Sequence, residues 1–361
     1  MPHQDVIVVG ASAGGVEVLK TLTAALPRDL DAVVLVVLHV APSSPSVLPK
    51  LLQRGAELPV AFAENGEPLV RGRVYVAPPD RHLVVEHGRV RLTRSPRENH
   101  SRPAIDPLFR SAALAYGPRV IGVILSGRLD DGTAGLWAVK DRGGTAVVQD
   151  PDEARHPDMP RNALRYTAAD HVARAEELAP LLVRLTKEPA PVAESAPASR
   201  ELELEVRIAM EDHALQLGVM QLGPVSPYTC PECHGVLVRV RDGGVPRFRC
   251  HTGHAFALDS LLASLTETVE QTLWNALRAV EETIMLLREA AGRRSGDEAT
   301  DDAGAIDPRF EQKAKEAEAR AELIRQAVLH HQALSLESIR AATGEAEAPR
   351  GAAAGNGDAP K

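Results

Sequence analysis

Aromatic residues are scarce in this 361-residue chain: five Phe, four Tyr and two Trp leave Val, Leu, Ala and Ile to build any core. Those side chains suit buried parallel strands and the helices that cover them. Cysteine is nearly absent as well. Its three copies, Cys230, Cys233 and Cys250, fall within 21 consecutive positions, which argues against a disulfide framework and for a metal cluster. Basic residues are not in excess, with 22 Lys and Arg against 21 Asp and Glu in residues 1–186, 19 against 28 in the remainder, and a formal charge of -8. Nucleic acid is therefore not an expected partner. No apolar run approaches the ~20 residues of a membrane span. MPHQDVIVVG at the start lacks the basic lead and hydrophobic stretch of an export signal. The expectation is a cytoplasmic protein that is not membrane-embedded.

What is present reads as α/β. Between residue 5 and about 186, short β-branched runs (VIVV, VVLVVL, VIGVIL) alternate with helical patterns, and the runs are apolar on both parities. Such strands are buried on both faces, as in a doubly wound, mostly parallel sheet. HLVVEHGRVRL departs from this: Glu86, His87 and Gly88 between two β-rich runs predict a β-hairpin. The expected organisation is one unit over 1–186 and a Pro/Ala-rich linker over 187–200. A helix and Cys/His module over 201–256 follows, then long helices over 257–345, as a helical hairpin or coiled coil, and a disordered tail over 346–361. In the first long helix Leu258, Leu262, Leu265, Val269, Leu273, Ala276, Val280, Ile284 and Leu287 step by three and four, a seam suited to a helical partner or a homodimer.

Chemistry first suggests itself at VIVVGASAGGVEVL, where Gly10, Ser12 and Gly14 form G-x-S-x-G between a strand and a helix. Such a turn also suits a phosphate, so a nucleotide-binding protein is one competing reading. A dinucleotide fingerprint, however, would want glycine at position 12 and an acidic residue ending the next strand, which here ends Leu38-His39. Serine after one strand and histidine after the next would lie together at the carboxyl edge of a parallel sheet. The loop after PRVIGVILSG adds Asp130 and Asp131, either of which could fix a histidine tautomer. Each residue also has a plainer use: Ser12, Asp130 and Asp131 as helix caps, His39 as a strand-end group bonded to backbone.

GASAGG, the LHV strand end, SRPAIDPLFRSAA, SG followed by DDGTAG, and QDPDEARHPDMPRNAL together resemble the catalytic domain of the CheB-like protein-glutamate methylesterases over about residues 4–186. The resemblance implies Ser12 as nucleophile, His39 as base, Asp131 rather than Asp130 as the orienting carboxylate, and backbone N–H groups of Ala13 and Arg128 around the oxyanion. The implied reaction is hydrolysis of glutamyl γ-methyl esters on a receptor or other signalling protein, with glutamine deamidation in related members and no cofactor for catalysis. Two departures stand out. Gly127-Arg128-Leu129 replaces the common Gly-Met-Gly, and the chain starts at the catalytic strand without the usual receiver domain, so phosphorylation control within it is not expected. A non-catalytic scaffold that keeps the esterase fold is the other competing reading.

Cys230-Pro-Glu-Cys233 and Cys250-His-Thr-Gly-His254 flank a β-rich stretch with an Asp-Gly-Gly turn, the pattern of a zinc ribbon with a structural Zn2+. His254 is expected as fourth ligand over His251, because Thr-Gly lets the chain curl back and similar ribbons beside methylesterase-like domains read Cys-x-x-Gly-His. A redox C-x-x-C would need a βαβ setting, which is lacking here.

Overall fold

The computed structural model describes residues 3–43, 45, 47–86, 88–191, 197–211, 213–241, 244–292, 308–332, 334 and 339. In chain order the elements are β1 (Val6–Ala11), α1 (Gly15–Ala25), β2 (Val33–Leu38), α2 (Leu48–Gln53), β3 (Val60–Phe62), β4 (Arg73–Val76), β5 (His82–Glu86) and β6 (Arg89–Thr93). Next come α3 (Ile105–Tyr116), β7 (Val120–Ile124), α4 (Thr133–Asp141), β8 (Thr145–Gln149), α5 (Asp158–Tyr166), β9 (His171–Ala173) and α6 (Ala175–Leu185). The remainder is α7 (Arg200–Met210), α8 (Ala214–Leu217), β10 (Val225–Thr229), β11 (Val236–Arg239), β12 (Arg247–Cys250), β13 (Ala255–Ala257), α9 (Leu258–Gly292) and α10 (Pro308–Leu329).

Seven strands form one parallel sheet in the order β3-β4-β2-β1-β7-β8-β9. The apolar runs are buried on both parities because the sheet is covered twice. Val8, Val33, Leu35 and Val37 face Leu108 and Phe109 of α3 and Leu136 of α4. Ile7, Val9, Val34 and Val36 face Leu19 and Leu22 of α1 and Leu178 and Leu182 of α6. Each such side chain, fully buried, contributes roughly 1.5–3 kcal/mol. From β1 the chain winds outward through β2 on one side and β7 on the other, so the loops ending these three neighbours border a single crevice.

β5 and β6 pair as the expected hairpin; His87 of its turn lies outside the described residues. A second, antiparallel sheet, β10-β11-β12-β13, carries the Cys/His segment. The Asp242-Gly243 part of its expected turn lies outside the described residues, as does the tail from 346. Helix α7 packs Leu202 and Val206 into the main core, beside the hairpin and α3. α9 and α10 lie against each other, with Leu277 and Ile284 meeting Ala314, Ala317 and Ala321, whose small side chains allow close approach. The helical seam differs from the expected one at Ala276, which is exposed while Leu277 is buried. Val269 is exposed too, because the apolar contacts with α10 gather in the C-terminal part of α9.

Candidate active site and metal cluster

Ser12 follows β1 directly, in a turn that needs Gly14 at φ +77°, a backbone geometry glycine adopts without steric cost. The Ser12 N–H donates to Ser126 O at 3.0 Å, and Gly15 N–H donates to Ser12 O at 3.0 Å, which pins the turn to the strand end beside it. His39 follows β2, with its N–H on Ala11 O at 3.2 Å. Its Nδ1 lies 3.1 Å from Ser12 Oγ and its Nε2 2.7 Å from Asp131 Oδ2. The carboxylate can only accept, so Nε2 carries the proton and Nδ1 is free to accept from the serine hydroxyl. His39 keeps 18% of its side-chain surface exposed and Asp131 only 2%.

Asp131 is held on all sides. Oδ2 also accepts the Ile105 N–H at 2.7 Å; Oδ1 accepts the Asn99 amide at 2.9 Å and the Asp106 N–H at 3.4 Å. Burial works against its charge, but hydrogen bonds from His39, Ile105 and Asn99 outweigh it and hold the carboxyl below its ordinary range. Asp106 beside it fares differently: burial, then the Asp131 charge, push it up to about 7.

Asp130 does not join the histidine. Its carboxylate accepts the Asp259 N–H at 2.8 Å, the Ser260 N–H at 3.2 Å and the Ser260 hydroxyl at 2.5 Å, capping the start of α9. The cap anticipated for this residue exists, but on a helix nearly 130 positions away rather than on α4. Burial pushes its carboxyl up to about 7.

Among the described residues, the N–H groups of Ala13 and Arg128 have no hydrogen-bond acceptor. Ala13 follows Ser12 directly, and Gly127, the residue before Arg128, packs against it: a Cβ on Gly127 would stand 2.9 Å from Ser12 Cβ and overlap Met159 Sδ. Leu129 takes φ +63°, so the loop keeps a left-handed backbone where the Gly-Met-Gly glycine is missing. Asn162 supports it by donating to Leu129 O at 2.9 Å. The arrangement lines up a hydroxyl, an imidazole that can accept its proton and a buried carboxylate behind the imidazole, with two unpaired backbone donors in the adjoining turns, a set of groups that can serve acyl transfer.

The second constellation lies in the antiparallel sheet. Ligand atoms of Cys230, Cys233, Cys250 and His254 all lie within 4.8 Å of one another. Cys233 Sγ is 3.6 Å from Cys250 Sγ, and His254 Nδ1 is 3.7 Å from Cys230 Sγ and 3.5 Å from Cys250 Sγ. Zn–S bonds of ~2.3 Å at tetrahedral angles imply edges of about 3.8 Å, so the residues fit the ion. His251 is exposed and packs beside Gly235, outside the cluster.

The sequence did not single out Asn99, Asp106 or Gly127 for a role. Asn99 lies just before, and Asp106 within, the SRPAIDPLFRSAA block, so the signal was present without a mechanism.

Residues 7–182 match the family model described as CheB methylesterase. A Leptospira interrogans protein, provisionally named a protein-glutamate methylesterase/protein-glutamine glutaminase, is 39% identical over 184 residues, 51% of this chain and 95% of that protein. An Anaeromyxobacter dehalogenans protein named protein-glutamate methylesterase/protein-glutamine glutaminase 2 is also 39% identical, over 51% of this chain and 54% of its own length. The crystal structure of the Thermotoga maritima CheB methylesterase catalytic domain aligns at 35% identity, with a TM-score of 0.49, over 50% of this chain and 98% of that one.

Proposed function

The chain belongs to the CheB methylesterase family, and from that premise we propose that it is a serine hydrolase removing methyl esters from glutamyl side chains of a receptor-like signalling protein. The carrying observation is the continuous hydrogen-bonded line from Ser12 Oγ through His39 to Asp131. Ser12 Oγ attacks the ester carbonyl while His39 Nδ1 takes its proton. The Ala13 and Arg128 N–H groups bind the oxyanion, and Asp131 stabilises the imidazolium and keeps its Nε2–H directed at the carboxylate. His39 then passes that proton to the methoxy oxygen as the C–O bond breaks, releasing methanol. Water, deprotonated by the same imidazole, cleaves the acyl-enzyme to glutamate. An amide substrate would follow the same course with ammonia leaving, the second activity in the relatives' names.

Cys230, Cys233, Cys250 and His254 would hold a structural Zn2+. Four protein ligands leave no open position for substrate, so the ion would supply folding energy to the ribbon and take no part in the hydrolysis. Its domain boundaries we take as 1–186 for the hydrolase, 201–256 for the ribbon and its leading helix, and 257–345 for the region that holds α9 and α10. The partner is a methylated receptor or other signalling protein in the cytoplasm, and self-association would use the exposed Trp274, Met285 and Leu286 of α9. Among the described residues no helix is long and apolar enough to cross a membrane.

The test is methanol release from a methylated receptor fragment by this chain and by its Ser12→Ala and His39→Ala variants. Release by the parent and its loss in both variants supports the reading. Undiminished release from Ser12→Ala would end it.

A further inference from the structure

The segment leading into the SRPAIDPLFRSAA block touches two distant parts of the molecule at once. Asn99 is buried at φ +48°, and its N–H donates to Ala255 O at 2.8 Å. Its side-chain amide donates to Asp131 Oδ1 at 2.9 Å and accepts the Ala257 N–H at 2.8 Å. Only Nδ2 can serve the carboxylate and only Oδ1 can serve an N–H, so both partners dictate the same orientation. Because the amide is planar, the group held at one end sets the direction of the other.

The Ala257 end belongs to the metal ribbon. Ala255 follows the cluster residue His254, and β13 pairs with β12, which ends in Cys250. A second tie runs alongside. Arg249 donates to Gly253 O at 2.8 Å, to Glu98 Oε1 at 2.8 Å and to Glu205 Oε1 at 3.3 Å; Arg110 takes the other Glu98 oxygen. These side chains are fully buried, and burial opposes the Glu98 charge while Arg110 and Arg249 hold it well below the usual carboxylate range. Breaking one partner of such a network leaves an uncompensated charge. Asp130 fastens the first turn of α9 one step further on. From His254 the line runs through Ala255, Asn99 and Asp131 to His39 without a gap.

We propose that Asn99 is a positioning residue for Asp131 and that the metal ribbon, gripping Asn99 through Ala255 and Ala257, sets the orientation of the acid–base site. The hydrolase would then be complete only with its ribbon docked. This rests on the esterase reading for the role of Asp131.

The experiment uses full-length, zinc-loaded protein with two readouts: hydrolysis of a methylated receptor fragment, and the downfield NMR resonance of the His39 Nε2 proton shared with Asp131. Asn99→Gly tolerates the positive φ and removes all three side-chain hydrogen bonds, including that from Nδ2 to Asp106 Oδ2 at 3.3 Å. It is expected to lower kcat roughly 10- to 100-fold, the scale of one hydrogen bond to a charged group, with KM changed by less than about threefold, and to shift the resonance. Chelating the zinc is expected to shift the same resonance in the parent but not further in Asn99→Gly, since both act through one contact. Asn99→Asp covers the case in which Asn99→Gly fails to fold. It retains the acceptor for Ala257, and its deficit should grow with pH as the introduced carboxyl loses the proton it would donate to Asp131. Parent-like kcat and resonance in the folded variant, or zinc removal that leaves the parent resonance unmoved, would overturn the inference. The resonance needs no turnover, so an inactive parent, or a Ser12→Ala variant as active as the parent, would sink the esterase reading alone.

Discussion

Asp130 and Asp131 are neighbours in the chain whose carboxylates serve opposite partners. Asp131 receives the His39 imidazole at 2.7 Å, while Asp130 receives the first N–H groups of α9, contributed by Asp259 and Ser260. One loop after β7 therefore holds both the anion behind the base and the anchor of the C-terminal helices, and the consequences can be measured separately.

For the hydroxyl and the base, Ser12→Ala and His39→Ala are each expected to lower kcat by on the order of 10^4-fold, with circular dichroism and zinc content unchanged. Asp130→Asn should leave His39 in place but weaken the cap on α9 by about 1 kcal/mol, read as earlier melting of the helical signal.

The loop carrying Arg128 gives a contrasting pair. Leu129→Gly relieves a left-handed residue at a cost in chain entropy of similar size, so stability should change by less than about 1 kcal/mol and kcat should persist. Gly127→Ala introduces a methyl that must displace Met159 or Ser12. It should lower kcat roughly 10-fold or more while substrate binding stays close to normal, because a displaced nucleophile or oxyanion donor acts on the transition state.

One contribution to stability should be lost on acidification, at a buried histidine that does not touch Ser12 or His39. His82 is fully buried, accepts the Ala104 N–H at 3.2 Å and lies 3.1 Å from Pro96 O. Burial lowers it to about 4. An unfolded histidine binds its proton near pH 6.5, so between pH 6.5 and 4 the unfolded state holds more protons. The contribution is complete above 6.5 and is lost as pH falls, by up to about 1.4 kcal/mol per pH unit. Asp106 and Asp130, held near 7, act in the opposite sense over the same range, so His82 is read by difference: from pH 7 to 5 the urea midpoint of the parent should fall relative to that of His82→Gln.

Metal removal is expected to unfold the antiparallel sheet first. One zinc per chain should be found by elemental analysis, Cys233→Ser should abolish it, and chelation should lower the melting temperature. Affinity should weaken towards low pH, because the thiols must lose their protons to bind.

Much of this was legible before any coordinates. Runs apolar on both parities announce strands covered twice, and in a parallel sheet the residues ending adjacent strands must meet, which is how Ser12, His39 and the Asp130-Asp131 pair could be gathered from distant positions. The cysteine knuckles read directly because their ligands are local. The seam of α9 read less well at Ala276 and Leu277, since the part of a helix that finds a partner depends on where that partner lies.

The alternation of residue types, the strand-end chemistry and the ligand spacing were determined by the sequence alone, because each is a short-range pattern imposed by backbone geometry. Only the tertiary structure decided that Asp130 reaches Ser260 and that Asn99 joins the ribbon to the carboxylate. Those hydrogen bonds span 130 and 158 positions in the Asp130–Ser260 and Asn99–Ala257 pairs. Such contacts leave no periodic trace, since they arise only when two separately formed surfaces are packed together and their polar groups must find partners away from water.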